Sequence, residues 1–292
     1  MTTRVAVIGA TGKMGRLVSG LIEETDGYEV VARLDSKSPL SDMLGADVAV
    51  DLTVPGVSQS VVDFAVDNGL RVLVGTSGWS QERIDALAHR LVGRDDVGVV
   101  IIPNFSIGSV LGSAFAALAA RFFDSIEIVE AHQASKVDSP SGTAVRTAEL
   151  IGRARAGLGP VSAPHTDQRA RGQQVASIPV HSLRLNGLIA RQDVIFGGAG
   201  ETLTISHNTV STASYERGIL LALAATLDAR GVTVGLDRIV DLGLGDAPPK
   251  DDVNEEAGID EAGTDEAGTD EARTDAPGLD DAVLDTTTGG AR

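Results

Sequence analysis

Cysteine is absent from all 292 residues, which excludes disulfides, cysteine-ligated metal sites and every thiol nucleophile, and fits a reducing compartment. No metal site is expected. Aromatic residues make up only 3% of the chain, too few for the base-stacking platforms that hold single-stranded nucleic acid. No apolar run reaches the ~18 residues that a spanning helix needs. Neither a nucleic acid nor a membrane is therefore expected as a partner. The first apolar run starts at Arg4, leaving no room for the basic and apolar regions of a secretory leader, so the cytoplasm is the expected compartment.

What is present is enough apolar residue, 42% of the chain, for one large or two modest domains. The formal charge of −17 is concentrated at one end, since residues 246–292 hold 15 acidic and 3 basic residues. There, Glu256-Ala257-Gly258-Ile259-Asp260 begins four near-identical pentads that end at Asp275. A segment so poor in large apolar residues and so rich in like charge cannot offset its ordering entropy, and composition predicts a disordered acidic tail. It lacks the glycine–aspartate pattern of calcium-binding β-rolls.

At the other end, Arg4–Ile8 reads as a buried parallel strand. Gly9, Ala10, Thr11, Gly12, Lys13, Met14 and Gly15 follow at once, then a helical stretch to about Glu24. A second strand, Tyr28–Leu34, ends at Asp35, twenty residues after Gly15. Such a turn lets the backbone approach a pyrophosphate at a helix N-terminus, and the acid is placed to bond the adenosine ribose. The spacing is G-x-x-G-x-x-G rather than the commoner G-x-G-x-x-G, and a ligand-free strand-to-helix turn is the plainer alternative. Asp35 favours a free ribose hydroxyl and hence NADH, whereas Lys13, Arg16 and Lys37 would welcome a 2′-phosphate. Use of both NADH and NADPH is expected.

Strand patterns at 4–8, 28–34, 47–53, 71–75, 97–102 and 125–130 alternate with helical patterns near 12–25, 56–68, 80–93 and 107–121. The alternation predicts an α/β fold with a Rossmann-like, doubly wound parallel sheet. Gly75-Thr76-Ser77-Gly78 and Ile102-Pro103-Asn104-Phe105 follow two of these strands, at the ends where open sheets bind ligands. Beyond residue 130 the pattern changes to a helix at 140–155, a polar loop at 157–175, and strands at 178–185, 188–196 and 201–207. These predict a smaller α+β domain with a mostly antiparallel sheet, and a helix near 212–229 that returns to the first domain. The expected division is 1–130 plus 212–245 for the dinucleotide, 131–211 for substrate and subunit association, and 246–292 for the tail.

Chemistry concentrates between His132 and Thr143. Alone, His132 would more often be structural, Lys136 a surface charge and Asp138 a turn former. Together, His132 and Lys136 sit at the crossover between the two domains, where a substrate would lie against a cofactor. Histidine as a residue type titrates near neutrality and suits proton donation. Pro140 fits the first turn of a helix. Ser141, Gly142 and Thr143 would then offer N–H groups and hydroxyls to an anion.

The run His132-Gln133-Ala134-Ser135-Lys136-Val137-Asp138-Ser139-Pro140-Ser141-Gly142-Thr143 resembles the H-H-x-x-K-x-D-x-P-S-G-T-A signature of the 4-hydroxy-tetrahydrodipicolinate reductase (dihydrodipicolinate reductase) family. The likeness spans about residues 4–244, including the glycine turn, Gly75-Thr76-Ser77, Pro103-Asn104-Phe105 and Gly200–Ile205. It implies a homotetrameric NAD(P)H-dependent reductase of a small dicarboxylate imine. Carried over, it makes Gly9 to Met14 the pyrophosphate turn, Asp35 the ribose contact, and Gly75 to Ser77 with Ile102 to Phe105 the nicotinamide end. His132 and Lys136 become the proton-handling pair, and Gln133, Lys136, Ser141, Gly142 and Thr143 the substrate contacts. Gln133 stands where the family has a second histidine, Arg191 where a histidine is typical, and Ser77 in place of a threonine. A paralogue acting on another small imine or carbonyl acid, or a nucleotide-sensing module without catalysis, is the alternative.

Overall fold

The computed structural model describes residues 2–240; the acidic tail expected at 246–292 lies outside them. The chain begins β1 (Thr3–Ile8), α1 (Lys13–Glu23), β2 (Tyr28–Leu34), β3 (Val48–Asp51), α2 (Pro55–Asp67), β4 (Arg71–Val74), α3 (Gln81–Arg90) and β5 (Gly98–Ile101). These strands run parallel in the order β5-β4-β3-β1-β2. Alternation along a strand sends neighbours to opposite faces. Val5 and Val7 accordingly join one apolar cluster with Val18 and Ile22 of α1, while Ala6 and Ile8 join another with Val61 and Ala65 of α2. Both faces are covered, as a parallel sheet requires. The direction of winding reverses at β1 and β3, and the turn after β1 lies there.

α4 (Ile107–Ala119) leads to β6 (Ser125–His132), α5 (Gly142–Ala154), β7 (Gln173–Val175), β8 (Ile178–Arg184), β9 (Ala190–Gly198) and β10 (Glu201–Thr209). The second sheet has the order β10-β9-β6-β8-β7, parallel only between β6 and β8. The alternating pattern of the sequence assigns 125–130 to the first sheet, but β6 is the centre of the second. Its own residues give the reason. Ser125-Ile126-Glu127-Ile128-Val129-Glu130 buries every second side chain, the mark of a sheet with one covered face, whereas β3 and β5 are buried at every position. α4 and α5 cover that face through Ala116, Ala144, Ala148 and Ile151, packed on Ile126, Ile128, Val180 and Phe196. The opposite face carries no helix among the described residues. α6 (Glu216–Leu227) then returns to the parallel sheet and supplies Ile219, Ala222 and Leu223 to its core. The chain adds one strand the sequence reading did not contain, β11 (Gly231–Val234), parallel to β5 at the edge. No helix among the described residues is long and apolar enough to cross a membrane.

Candidate active site

The glycine turn owes its composition to close approach. Gly9 has φ +82°, and a Cβ there would stand 2.4 Å from the Leu52 carbonyl oxygen at the end of β3. A Cβ on Gly15 would stand 2.2 Å from the Gly9 carbonyl oxygen. Only glycine fits either place. Gly12 is the N-cap of α1, with no side-chain cap and no acid in the first turn. The first N–H groups of α1 are thus left to an external acceptor, with Lys13 beside them, which is the arrangement a pyrophosphate needs. Ala10 and Thr11 complete the turn, and the Arg16 guanidinium donates to the Thr11 carbonyl.

Asp35, exposed at the end of β2, accepts hydrogen bonds from the Lys37 N–H at 2.9 Å and the Ser38 hydroxyl at 3.0 Å. The Lys37 amide first, then the Ser38 hydroxyl, hold its carboxyl below the ordinary aspartate range. Gly75 lies so close to Leu52 and Phe105 that a Cβ would be 2.6 Å and 2.8 Å from them. Thr76 is buried and donates to the Asp51 carbonyl at 3.3 Å. Ser77 is exposed. Ile102 is completely buried in the core, beneath Pro103, Asn104 and Phe105.

A cavity of about 490 Å³ opens between the two sheets. Lys13, Met14, Gly75, Pro103, Asn104 and Phe105 line one side, and His132, Gln133, Lys136, Ser141 and Thr143 the other. Eleven of the candidate residues therefore share one space, although they come from segments as far apart in sequence as Lys13 and Thr143. Gly9 to Gly12, Asp35, Thr76, Ser77, Ile102 and Gly142 are not in its wall. Asn104 joins the two sides, donating to the Ser109 hydroxyl and the Thr143 hydroxyl at 3.1 Å each.

On the second-sheet side, period-two alternation turns Glu130 and His132 to the same face of β6. The His132 Nδ1 is 2.6 Å from Glu130 Oε2. Its Nε2 has no protein partner among the described residues, and the ring lines the cavity. Glu130 is fully buried, and Arg184 grips both of its oxygens at 3.0 Å. Burial opposes its ionisation, but the hydrogen bonds from His132, Arg184 and Ser182 outweigh that and bring its pKa down to about 2. The Lys136 Nζ donates to Asp138 Oδ1 at 2.7 Å. Burial works against the Asp138 charge too, yet the Lys136 ammonium keeps its carboxyl below the usual range.

α5 starts after Ser141, whose hydroxyl caps the Ala144 N–H at 3.2 Å and whose own N–H goes to Glu130 Oε1 at 3.2 Å. Both polar groups of Ser141 are thus committed internally. The free N–H groups of this helix start are those of Gly142 and Thr143, and a Cβ on Gly142 would meet nothing within 4 Å. Arg191 also borders the cavity, but its Nε pairs with Asp193 at 2.9 Å.

Sequence reasoning passed over Glu130, Arg184, Gln192 and His207. The signal for Glu130 was present, an acid two residues before His132 in a strand whose alternate positions are apolar. His207 lines the cavity with its Nε2 3.2 Å from the Ser106 hydroxyl, and burial pushes its pKa down. Gln192 donates to the Thr147 hydroxyl at 3.0 Å.

A histidine and a lysine facing a bare helix N-terminus across a cleft, with the cleft at the reversal point of a parallel sheet, is the layout of a two-lobed, dinucleotide-dependent oxidoreductase. Comparison with known proteins narrows this. The family model described as dihydrodipicolinate reductase, N-terminus, matches residues 3–105, and that described as dihydrodipicolinate reductase, C-terminus, matches residues 108–240. The chain belongs to the dihydrodipicolinate reductase family. It is 66% identical over 264 residues to a 4-hydroxy-tetrahydrodipicolinate reductase of Clavibacter michiganensis, covering 86% of this chain and 95% of that one. Identity to the corresponding reductase of Streptomyces griseus is 45% over 248 residues, covering 82% and 98%. Among solved structures, the dipicolinate-bound dihydrodipicolinate reductase of Paenisporosarcina sp. TG-14 aligns with a TM-score of 0.67 at 32% identity, covering 82% of this chain and 100% of that one.

Proposed function

We propose that this chain catalyses the NAD(P)H-dependent reduction of 4-hydroxy-tetrahydrodipicolinate, by way of dihydrodipicolinate, to tetrahydrodipicolinate in diaminopimelate and lysine biosynthesis. The observation that carries the reading is the shared cavity, where His132, Lys136 and the α5 start face the loops that follow β1, β4 and β5. Gly9, Ala10, Thr11, Gly12, Lys13 and Met14 would hold the pyrophosphate and Asp35 the ribose. Gly75, Thr76 and Ser77 with Ile102, Pro103, Asn104 and Phe105 would form the nicotinamide end, with Thr76 and Ile102 supporting the loops from beneath. The bound nucleotide supplies the hydride.

The remaining work falls to this chain's own side chains. Hydride addition to a conjugated cyclic imine leaves an electron-rich enamine on the substrate, which must gain a proton. His132 delivers it from Nε2, the ring nitrogen that meets the cavity. Lys136 stabilises developing negative charge and pairs with a substrate carboxylate. The Gly142 and Thr143 N–H groups receive the same carboxylate at the positive end of α5. Ser141 shapes that turn, and Gln133 gives a neutral hydrogen bond where a histidine would add charge.

Asp35 and the cations near it, Lys13, Arg16 and Lys37, support use of both NADH and NADPH. Comparable catalytic efficiencies with the two are expected, and a hundredfold preference for either would defeat this. The open face of the second sheet supports a homotetramer, with the cytoplasm as compartment and no nucleic acid as partner. The test is a coupled assay in which dihydrodipicolinate synthase generates the unstable substrate and nucleotide oxidation is followed. His132→Ala should lower turnover on the order of 10²–10⁴-fold while nucleotide binding persists. Turnover by the wild type that survives His132→Ala would remove the histidine from the reaction. No turnover at all with nucleotide still bound would favour another small imine or carbonyl acid as substrate.

A further inference from the structure

We propose that Glu130 is a positioning residue, fixing His132 in one tautomer and tying that ring to the substrate-binding start of α5. The inference rests on the reading of His132 as proton donor and goes beyond it. Glu130 has no exposed surface, and its carboxylate is held by His132, Arg184, Ser182 and the Ser141 N–H. Oε2 meets His132 Nδ1 at 2.6 Å and Arg184 Nη1 at 3.0 Å, while Oε1 meets Arg184 Nη2 at 3.0 Å and the Ser141 N–H at 3.2 Å.

An ionised carboxylate only accepts hydrogen bonds. Nδ1 must therefore carry its hydrogen, which leaves Nε2 as the nitrogen that gains and loses the mobile proton. Arg184 keeps the carboxylate ionised. It reaches Glu130 because β8 runs parallel to β6 with His132 opposite Arg184. Its Nη2 also donates to the Asp138 carbonyl at 2.6 Å, so the loop bearing Lys136 is held by the same guanidinium. One buried ion pair thus sets the donor ring, the lysine loop and the anion-binding helix start relative to each other. A buried pair is a costly device for stability alone, and here it is linked to two groups that line the cavity, His132 and Ser141.

The experiment is made on the full-length protein labelled with ¹⁵N in its histidine side chains, with His132→Asn used to assign the ring. The neutral His132 ring of the wild type is expected as the Nδ1–H tautomer, and Glu130→Gln as a mixture of both. In the coupled assay Glu130→Gln is expected to lower kcat on the order of 100-fold, with substrate KM and nucleotide Kd changed less than about threefold, and Glu130→Asp to recover part of kcat. An Nε2–H tautomer in the wild type overturns the proposal without any variant. So does a Glu130→Gln protein that keeps its tautomer, or one that loses activity only through KM. The tautomer is read without substrate, so a wild-type protein that binds nucleotide yet turns nothing over would count against the proposed reaction and leave the positioning of His132 standing.

Discussion

Lys136 reaches the cavity already paired, and that pairing has a kinetic consequence. Its ammonium donates to Asp138 at 2.7 Å, and the aspartate side chain is 59% exposed. A carboxylate so exposed contributes only about 0–1 kcal/mol to the pair. A substrate carboxylate that pairs with Lys136, as proposed, would have to share or displace it, and the Asp138 charge would repel a dianion at the cavity mouth. Asp138→Asn is therefore expected to lower substrate KM by about two- to fivefold and to leave kcat within about twofold, as that energy converts at room temperature. Initial rates over a substrate series check this, and an unchanged or raised KM would mean that Asp138 holds the lysine for its task. Lys136→Ala, by contrast, should abolish turnover and spare nucleotide binding, which equilibrium titration with NADH reads directly. The residue types in this loop are legible in sequence, but their couplings are not. Asp138 reads as a turn former, and only the folded loop brings its carboxylate to Lys136 and its carbonyl to Arg184.

At the scale of elements, two helix starts do different work with different caps. α1 begins at a glycine without a side-chain cap, and α5 at Ser141, whose hydroxyl accepts from the Ala144 N–H and whose N–H donates to Glu130. Ser141→Ala removes the hydroxyl and keeps the N–H. It should cost about 1 kcal/mol of stability, read by urea denaturation, and raise substrate KM while NADH affinity stays level. Gly15→Ala works at the other start. A Cβ there would press within 2.2 Å of the Gly9 carbonyl oxygen, so the turn must open, and nucleotide binding is expected to fall before substrate binding does. Strands buried on both faces and helices with apolar stripes could be read from sequence. β6 was found but given to the other sheet, because alternation of strand and helix continues up to it and only its half-buried periodicity marks the change. β11 has four half-buried residues at a sheet edge, close behind α6, and its short run carries too little pattern to separate from a loop.

At the scale of the molecule, the cavity is assembled by contacts that no local pattern contains. Asn104 and Thr143 are 39 residues apart, and Glu130 and Arg184 are 54 apart. The run from His132 to Thr143 is legible as a cluster that lines the cavity, whereas the ion pair beneath it depends on sheet order. That pair gives the folded state an acid-sensitive foundation. Glu130, Asp138, Asp35 and Asp96 all hold their protons less tightly than ordinary carboxylates. With folded pKa values below unfolded ones, the unfolded chain binds more protons as pH falls, so these groups stabilise the fold above the unfolded values and lose that contribution on acidification. His207, pushed down by burial, acts in the same direction below its ordinary value of 6.5. Glu130 dominates because it alone is fully buried. The fall from 4.5 to about 2 corresponds to a contribution on the order of 3 kcal/mol at neutral pH. Wild type and Glu130→Gln should therefore differ most in denaturation midpoint above about pH 5, and the gap should close between about pH 4.5 and pH 2 as the carboxylate gains its proton. A gap that stays constant over that range would mean that the fold does not hold the Glu130 carboxyl below its unfolded pKa, and the ion pair could not then be what holds His132 in place.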